Sequence, residues 1–414
     1  MLRLDEAQGV LLIDGERIVL VPKAAALLRV LAAHGGRVVT KDELIAAVWP
    51  DVTVEESNLA KLVFGLRKHL GEPAIETVPR RGYRLVAPVQ LGEPPREVIP
   101  AAYDLYLQGR YFWNRRPGDV VQQAIECFHK AIELAPAFAP AWAGIADVYA
   151  TLGSWEAGAL PHSEAHAKAW SYATRALELD PTLVEAMTTR AYTTLHYAWD
   201  IGAAEQRFRR ALEVAPRYAP ALHWHSHCLA AAGRFAESLE QSRHALAQEP
   251  MNLLLHVHLA WHHAIAGSPG DALSQAQRVI AMDPQFHWGH YFAGWAADAL
   301  GEPARAVDAM REAARCSRDD RVMRAGLARA YAVAGERDAA LAIANELAPY
   351  GMFDYELALV HAGLGDIEAA LVAIARARDA RSGWLAYAQV DARLAAVRAH
   401  PRFPALAPIG LSAT

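Results

Sequence analysis

The sequence has 414 residues, is 53% hydrophobic and carries a formal net charge of −5. That length predicts two or three domains with real cores, and the negative balance excludes a chain basic enough overall to coat nucleic acid. Cys127, Cys228 and Cys316 lie far apart, which excludes a disulfide framework or a zinc-finger spacing.

The N-terminus lacks the charged and apolar regions of a signal peptide. No uninterrupted apolar run approaches the ~18 residues needed to span a bilayer. A cytoplasmic, nucleoid-associated protein is expected. The charge is uneven: residues 1–90 hold 12 Lys+Arg and 11 Asp+Glu, a balance of +1, which leaves −6 for the rest.

In chain order, the opening GVLLIDGERIVL reads as two strands. Asp14-Gly15 between apolar runs is a two-residue hairpin signal. A helix is predicted from Pro22 to His34, with Leu27, Leu28 and Leu31 at helical spacing and Gly35-Gly36 at its end. Thr40 followed by Glu43 is a capping box that starts a second helix, which runs to Trp49 and is stopped by Pro50.

A third helix is predicted from about Glu56 to Leu70. Leu59, Leu62, Val63, Leu66 and Leu70 form its apolar stripe, and Ser57, Asn58, Lys61, Phe64, Arg67 and Lys68 lie largely off it. IETVPRRGYRLVAPV then reads as a second hairpin, with Gly82 expected to let it turn. From Ser57 to Arg84, six basic residues stand against Glu72 and Glu76, the local excess a phosphate backbone would meet. Strands, three helices and a basic hairpin make the layout of a winged helix, whose third helix enters the major groove while the wing reaches along the backbone or into the minor groove.

The stretches LVPKAAALLRVLAAHGGRVVTKDELIAAVWP, SNLAKLVFGLRKHLG and IETVPRRGYRLVAP resemble the effector domain of OmpR/PhoB-type transcription regulators over residues 2–88. The resemblance implies that Ser57, Asn58, Lys61 and Leu62 face base edges. By the same resemblance, Thr40, Lys41, Trp49, Arg67 and Lys68 meet the DNA backbone, and Arg80 or Arg81 enters the minor groove. It also implies contact with RNA polymerase. Trp49 suits core packing as well as a phosphate contact. Gly65 stands where the family has a bulkier polar residue. The receiver domain that usually precedes this module is not expected here, so control is expected from the C-terminal part or from expression level.

LGEPPREVIP, residues 91–100, reads as a linker. Beyond it, AIECFHKAIELAP, AWSYATRALELDP, AEQRFRRALEVAP, SLEQSRHALAQEP and ALSQAQRVIAMDP recur, ending at prolines 136, 181, 216, 250 and 284. A 34-residue period with a closing Pro is the tetratricopeptide signature. Gly153, Gly233, Gly267, Gly301, Gly335 and Gly365 mark the turn inside each repeat. Ala124, Ala169, Ala204, Ala272, Ala306, Ala340 and Ala370 mark the close helix contacts.

The expected fold is therefore an α+β winged helix-turn-helix over 1–90, a linker over 91–101, an all-α tetratricopeptide solenoid of eight repeats over 102–385 and a capping segment over 386–414. The arrangement resembles bacterial winged-helix regulators with a C-terminal tetratricopeptide region. CadC-like members carry a membrane helix between the two parts. This chain shows none, and so looks like the soluble HilA-like arrangement.

The first helices of the repeats are expected to line a concave groove. Tyr192, His223, His227, Trp261, Trp288, Tyr291, Trp295 and Asp298 fall there, a set suited to a protein, peptide or small effector. The tryptophans equally suit packing between repeats. His223 and His227, four apart on one helix, have the spacing of a metal pair. His225 and His258 fall on other faces and no Asp, Glu or Cys completes a ligand set, so neither metal nor cofactor is expected and the histidines read as ordinary interface residues.

No Walker loop, HExxH, Gly-x-Ser-x-Gly or dinucleotide fingerprint is present, so no enzyme activity is expected. The function read from these features is a sequence-specific regulator that binds double-stranded DNA. The alternative is an adaptor whose winged helix docks protein. Homodimerisation has two routes, tandem half-sites on DNA and the ends or convex face of the solenoid.

Overall fold

A computed structural model describes the chain except for residues 1, 6–9, 14–15, 50–53, 55, 80, 88, 92–98, 115–119, 154–159, 319 and 407–414. The Asp14-Gly15 turn, Pro50, Arg80 and most of the linker lie outside the described residues. By contact the chain forms two compact units. One holds residues 1–145 with 175–183 and 213–218, and the other holds 146–174, 184–212 and 219–414.

The first unit contains the winged helix. Strands β1 (Leu2–Asp5), β2 (Val10–Ile13) and β3 (Glu16–Val19) form an antiparallel meander, and α1 (Pro22–Ala33), α2 (Lys41–Val48) and α3 (Glu56–Leu70) follow. A second sheet joins β4 (Val39–Thr40), β6 (Gly82–Leu85) and β5 (Ile75–Val78) in that order. The basic hairpin is thus part of a three-stranded sheet. A strand absent from the sequence reading, β7 (Val89–Leu91), pairs parallel to β1 and completes the sheet order β3-β2-β1-β7.

One core holds these elements together. Leu27, Leu28 and Leu31 of α1, Leu44 and Val48 of α2, and Leu59, Val63 and Leu66 of α3 are buried with Leu4, Ile75, Tyr83 and Leu85. At about 1.5–3 kcal/mol for each buried Leu or Val, this stripe fixes the rotation of α3 about its own axis and so decides which face points outward.

Gly82 has a different role from the one its sequence context suggests. It lies in β6, opposite Thr40 of β4, where an added Cβ would stand 1.9 Å from the Val39 carbonyl oxygen. Glycine is required there by the close approach of a neighbouring backbone, not by the turn.

Helices α4 to α19 follow as eight consecutive pairs: α4 (Pro100–Asn114) with α5 (Val120–Leu134), α6 (Ala139–Leu152) with α7 (His162–Leu179), α8 (Val184–His196) with α9 (Ile201–Val214), and α10 (Ala219–Ala231) with α11 (Phe235–Gln248). Then come α12 (Leu253–Ile265) with α13 (Pro269–Met282), α14 (His287–Ala299) with α15 (Pro303–Cys316), α16 (Arg321–Val333) with α17 (Arg337–Leu347), and α18 (Asp354–Gly363) with α19 (Ile367–Asp379). This is a tetratricopeptide-type solenoid.

Gly233, Gly267, Gly301, Gly335 and Gly365 sit just past the first helix of their pairs with φ of 74, 78, 75, 82 and 75°, the left-handed conformation that ends a helix most easily at glycine. Gly153 differs. It has no positive φ, and a Cβ there would come within 3.0 Å of the His166 ring. The seven repeat alanines, from Ala124 to Ala370, are all buried. In α11 the equivalent place is taken by Ser238, which is buried and donates to the Ser226 carbonyl at 2.8 Å.

The segment after α19 does more than cover the last repeat. Two 3-10 turns, Gly383–Tyr387 and Ala392–Leu394, and the short helices α20 (Ala395–Arg398) and α21 (Phe403–Leu406) pack on α19 and also run back over α8, α10 and α18.

Gly82→Ala is expected to lower the stability of the winged helix by roughly 2–3 kcal/mol, because a Cβ cannot share space with a backbone carbonyl. Hydrogen exchange at the Val39 and Tyr83 amides is the measurement. Unchanged protection would mean that β4 and β6 do not approach as closely as described.

Candidate nucleic-acid interface and the repeat groove

The outward face of α3 follows from its buried one. Opposite Leu59, Val63 and Leu66, the exposed residues recur as Ser57, Lys61, Phe64 and Lys68, spaced four, three and four apart along one stripe. The Lys68 ammonium lies 4.9 Å from the Phe64 ring, whose side chain is 57% exposed. Arg81 is exposed at the tip of the wing. Asn58 and Leu62 flank the stripe half-buried, with Leu62 packed on the core. Phe64, absent from the expected DNA contacts, shares this exposed stripe. Its signal was an apolar side chain at a position out of phase with the core.

Other expected DNA contacts are engaged within the domain. The Arg67 guanidinium donates to the Ile75 carbonyl at 2.9 and 2.6 Å and to the Thr77 hydroxyl at 2.8 Å, tying α3 to β5. The Thr40 hydroxyl caps α2. It accepts from the Glu43 amide at 3.2 Å and donates to the Glu43 carboxylate at 2.8 Å. The Thr40 amide, which donates to the Glu43 carboxylate at 2.9 Å, and then the Thr40 hydroxyl hold the Glu43 carboxyl below its usual range.

Lys41 pairs with Glu56 at the start of α3 at 2.5 Å, and that hydrogen bond and charge raise its pKa. Trp49 ends α2 half-buried against the core, 5.9 Å from the Lys23 ammonium. On the wing, Arg84 donates to Glu76 across the β5–β6 ladder at 2.7 Å. Among the described basic residues of α3 and the wing, the outward positive charge therefore narrows to Lys61, Lys68 and Arg81.

The repeat groove is closed, which corrects the expectation of an open, lined surface. Tyr192, His223, His227, Trp261, Tyr291 and Trp295 are buried, and Trp288 and Asp298 are half-buried. The reason is the C-terminal segment. The Tyr387 hydroxyl lies 3.0 Å from His196 Nε2 and 3.3 Å from His227 Nδ1, and its ring meets Trp261 edge-on at 5.0 Å. Trp199 Nε1 donates to the Ser382 carbonyl at 3.2 Å. The Arg393 guanidinium covers the Trp295 ring at 3.4 Å and pairs with Asp391 at 2.7 Å, and Asp391 also accepts from the Tyr355 hydroxyl at 2.9 Å.

Beneath this segment, Asp298 pairs with Arg329 at 3.2 Å. Tyr291, Trp295, Asp298, Arg329, Glu356 and Arg393 line a cavity of about 20 Å³, room for one water and no larger ligand. Burial raises the Glu356 carboxyl to about 7.

The histidines of this unit are mostly spoken for. His262 lies between the hydroxyls of Ser226 at 2.9 Å and Ser238 at 2.8 Å. His196 contacts the Tyr192 carbonyl at 3.1 Å and Tyr387. His256 contacts the Pro250 carbonyl at 3.0 Å and Gln275 at 2.8 Å. The expectation that His258 faces away from His223 and His227 fails. Tertiary packing carries it from α12 onto α10, where its Nδ1 lies 2.7 Å from His223 Nε2 and 3.2 Å from His227 Nε2.

Burial holds the neutral form of His166, His223, His225, His227 and His262 and lowers His196 to about 4.

Residues 15–85 match the family model described as transcriptional regulatory protein, C terminal. The chain is 35% identical over 91 residues to the transcriptional regulator HilA of Salmonella typhi, which covers 21% of this chain and 16% of HilA. It is 38% identical over 107 residues to the transcriptional activator CadC of Escherichia coli, 21% of each chain. The match thus spans a small part of these relatives. Among solved structures, a monomeric IFIT1 mutant is 14% identical with a TM-score of 0.51, covering 81% of this chain and 80% of that one. That likeness concerns fold alone. Among the described residues no helix is long and apolar enough to cross a membrane.

The depressed histidines set a pH dependence. The unfolded chain takes up their protons near the ordinary value of ~6.5, while the fold resists until lower pH, so stability is full above that value and falls as pH falls through it. His196 alone is expected to cost about 2 kcal/mol by about pH 5. Thermal unfolding at about pH 7.5 and pH 5 tests this. Equal melting temperatures would mean that these rings are not held neutral.

Proposed function

We propose, from an N-terminal domain that belongs to the OmpR/PhoB-type transcriptional-regulator family, that the chain is a sequence-specific DNA-binding transcriptional regulator. The observation that carries this reading is the exposed stripe Ser57, Lys61, Phe64 and Lys68 on α3, opposite the buried stripe that fixes its orientation. Seated in a major groove, Ser57 and Lys61 face base edges with Asn58 and Leu62 beside them, and Lys68 meets phosphate. Phe64 offers an apolar contact to a thymine methyl group. Arg81 and its neighbour Arg80 approach the backbone or the adjacent minor groove. The regulator family supports RNA polymerase as the partner met on DNA.

In this reading the tetratricopeptide unit is the control element, and the segment 383–398 acts as its internal occupant. A peptide or protein partner gains the groove by displacing Tyr387 and Trp384 from the first-helix face.

The test is selection of bound sequences from a random DNA pool with the full-length protein, followed by a salt series on the selected site. Lys61→Ala with Lys68→Ala is expected to reduce the slope of log K against log salt by about one, from the lost Lys68 phosphate contact, and to relax base preference where Lys61 reads the groove. Arg67→Ala is expected to lower thermal stability and leave that slope nearly unchanged, because its guanidinium is tied to β5. Phe64→Ala is expected to lower affinity mainly for sites with thymine at one position. If no sequence is enriched and the lysine pair leaves the slope unchanged, the DNA reading falls and the protein-docking adaptor replaces it.

A further inference from the structure

Three imidazoles from two repeats meet at one point inside the tetratricopeptide unit, and their packing differs from that of the other histidines there. His223 and His227 stand four apart on α10, so both rings leave the same face of the helix. His258 reaches them from α12. One ring nitrogen from each of the three lies within 4.8 Å of the other two, and all three residues are buried. The two closest separations, 2.7 and 3.2 Å, both involve His258 Nδ1.

A neutral imidazole nitrogen carries either one proton or one in-plane lone pair. His258 Nδ1 can therefore make one good hydrogen bond to this pair of nitrogens and not two. A shared extra proton is opposed by burial, which holds His223 and His227 well below the ordinary histidine range. A cation takes one nitrogen from each of the three rings at once.

We propose that His223, His227 and His258 form a metal site for a late first-row transition ion of the Zn2+ or Cu+ type. Donor chemistry chooses the class. Three neutral nitrogens, with no oxygen donor among them, do not suit Mg2+ or Ca2+, which require oxygen, and do suit zinc and copper. Geometry fits as well. Nitrogens at 2.0–2.1 Å from a tetrahedral ion stand about 3.3 Å apart, so the observed separations need only a small opening.

Support is in place around one ligand, His227, while His223 Nδ1 is buried without a hydrogen-bond partner. The Tyr387 hydroxyl at 3.3 Å from His227 Nδ1 orients that ring and leaves Nε2 for the ion, the second-shell arrangement ligating histidines normally have. His262, held by Ser226 and Ser238, is not available as a further ligand. The fourth position of a tetrahedral ion falls to water or hydroxide, and Cu+ needs none.

A second group, His290, Glu312 and Cys316, also brings three donors within 4.8 Å, but it is half-buried, Glu312 is held by Arg315 at 2.5 Å, and burial raises the Cys316 thiol. It makes a weaker site and is removed in the test by Cys316→Ser.

The full-length Cys316→Ser protein is equilibrated with equimolar Zn2+, or with Cu+ under reducing conditions, desalted, and its metal measured by mass spectrometry. About one equivalent per chain is expected to remain for at least one of the two ions, together with a rise in melting temperature of several degrees. His223→Gln with His258→Gln, uncharged and similar in size, is expected to lose both effects, and His225→Gln, a buried histidine outside the cluster, to keep them. Should the double variant fail to fold, visible absorption of the Co2+-loaded protein decides, since a nitrogen-ligated tetrahedral ion gives intense bands and a surface-bound aquo ion does not. Retention of neither ion, or equal retention by the folded double variant, or a Co2+ spectrum of the aquo ion, overturns the proposal. None of these outcomes depends on whether the N-terminal domain binds DNA.

Discussion

The hydroxyl of Tyr387, set between His196 on α8 and His227 on α10, is the contact on which the tetratricopeptide unit turns. Solenoid repeats normally touch only their neighbours in sequence. Here a residue from the C-terminal segment is inserted among the first helices of repeats some 160 and 191 positions earlier in the chain. It brings Ser382 to Trp199 and Arg393 to Trp295 with it. A quasi-linear array thereby becomes a cooperative body, because losing this segment would expose a row of aromatic and imidazole rings at once.

The chemistry of that buried layer is specific. An ordinary core of this size would be aliphatic. This one holds histidines whose neutral form is enforced by burial, and some of their ring nitrogens meet hydroxyls, carbonyls or one another, whereas both nitrogens of His225 and Nδ1 of His223 have no hydrogen-bond partner. Ser238 shows how closely sequence and network are matched. It replaces the small alanine of the other repeats at the cost of one hydroxyl, and that hydroxyl lies 2.8 Å from His262 Nδ1. Polar groups in such a setting demand partners, so the layer selects a single arrangement of α10, α11 and α12.

The winged helix follows a different logic. Its core fixes α3 through Leu59, Val63 and Leu66, and three expected contact residues are then used to hold neighbouring elements. Arg67 ties α3 to the wing, Lys41 meets Glu56, and Thr40 caps α2. What remains facing outward is a short row of polar and basic side chains with one aromatic ring. A domain of this size has few long polar side chains, and those that position the recognition helix are not free to read DNA at the same time.

Much of this was legible in the sequence, for local physical reasons. The capping box at Thr40 and Glu43 and the glycines after the first helices follow from residues within a turn or two, the apolar stripe of α3 from one helix, and the 34-residue period from the recurrence of such local patterns. What only the tertiary structure decided depends on residues far apart in the chain. Periodicity cannot say that α12 turns His258 onto His223 and His227, since the phase of one helix against the next is set by how both pack. It cannot say that Gly82 is required by the Val39 carbonyl, or that β7 pairs with β1. Above all, a repeat pattern marks which helices line a concave face but not what covers that face, and here the cover is the chain's own C-terminal segment.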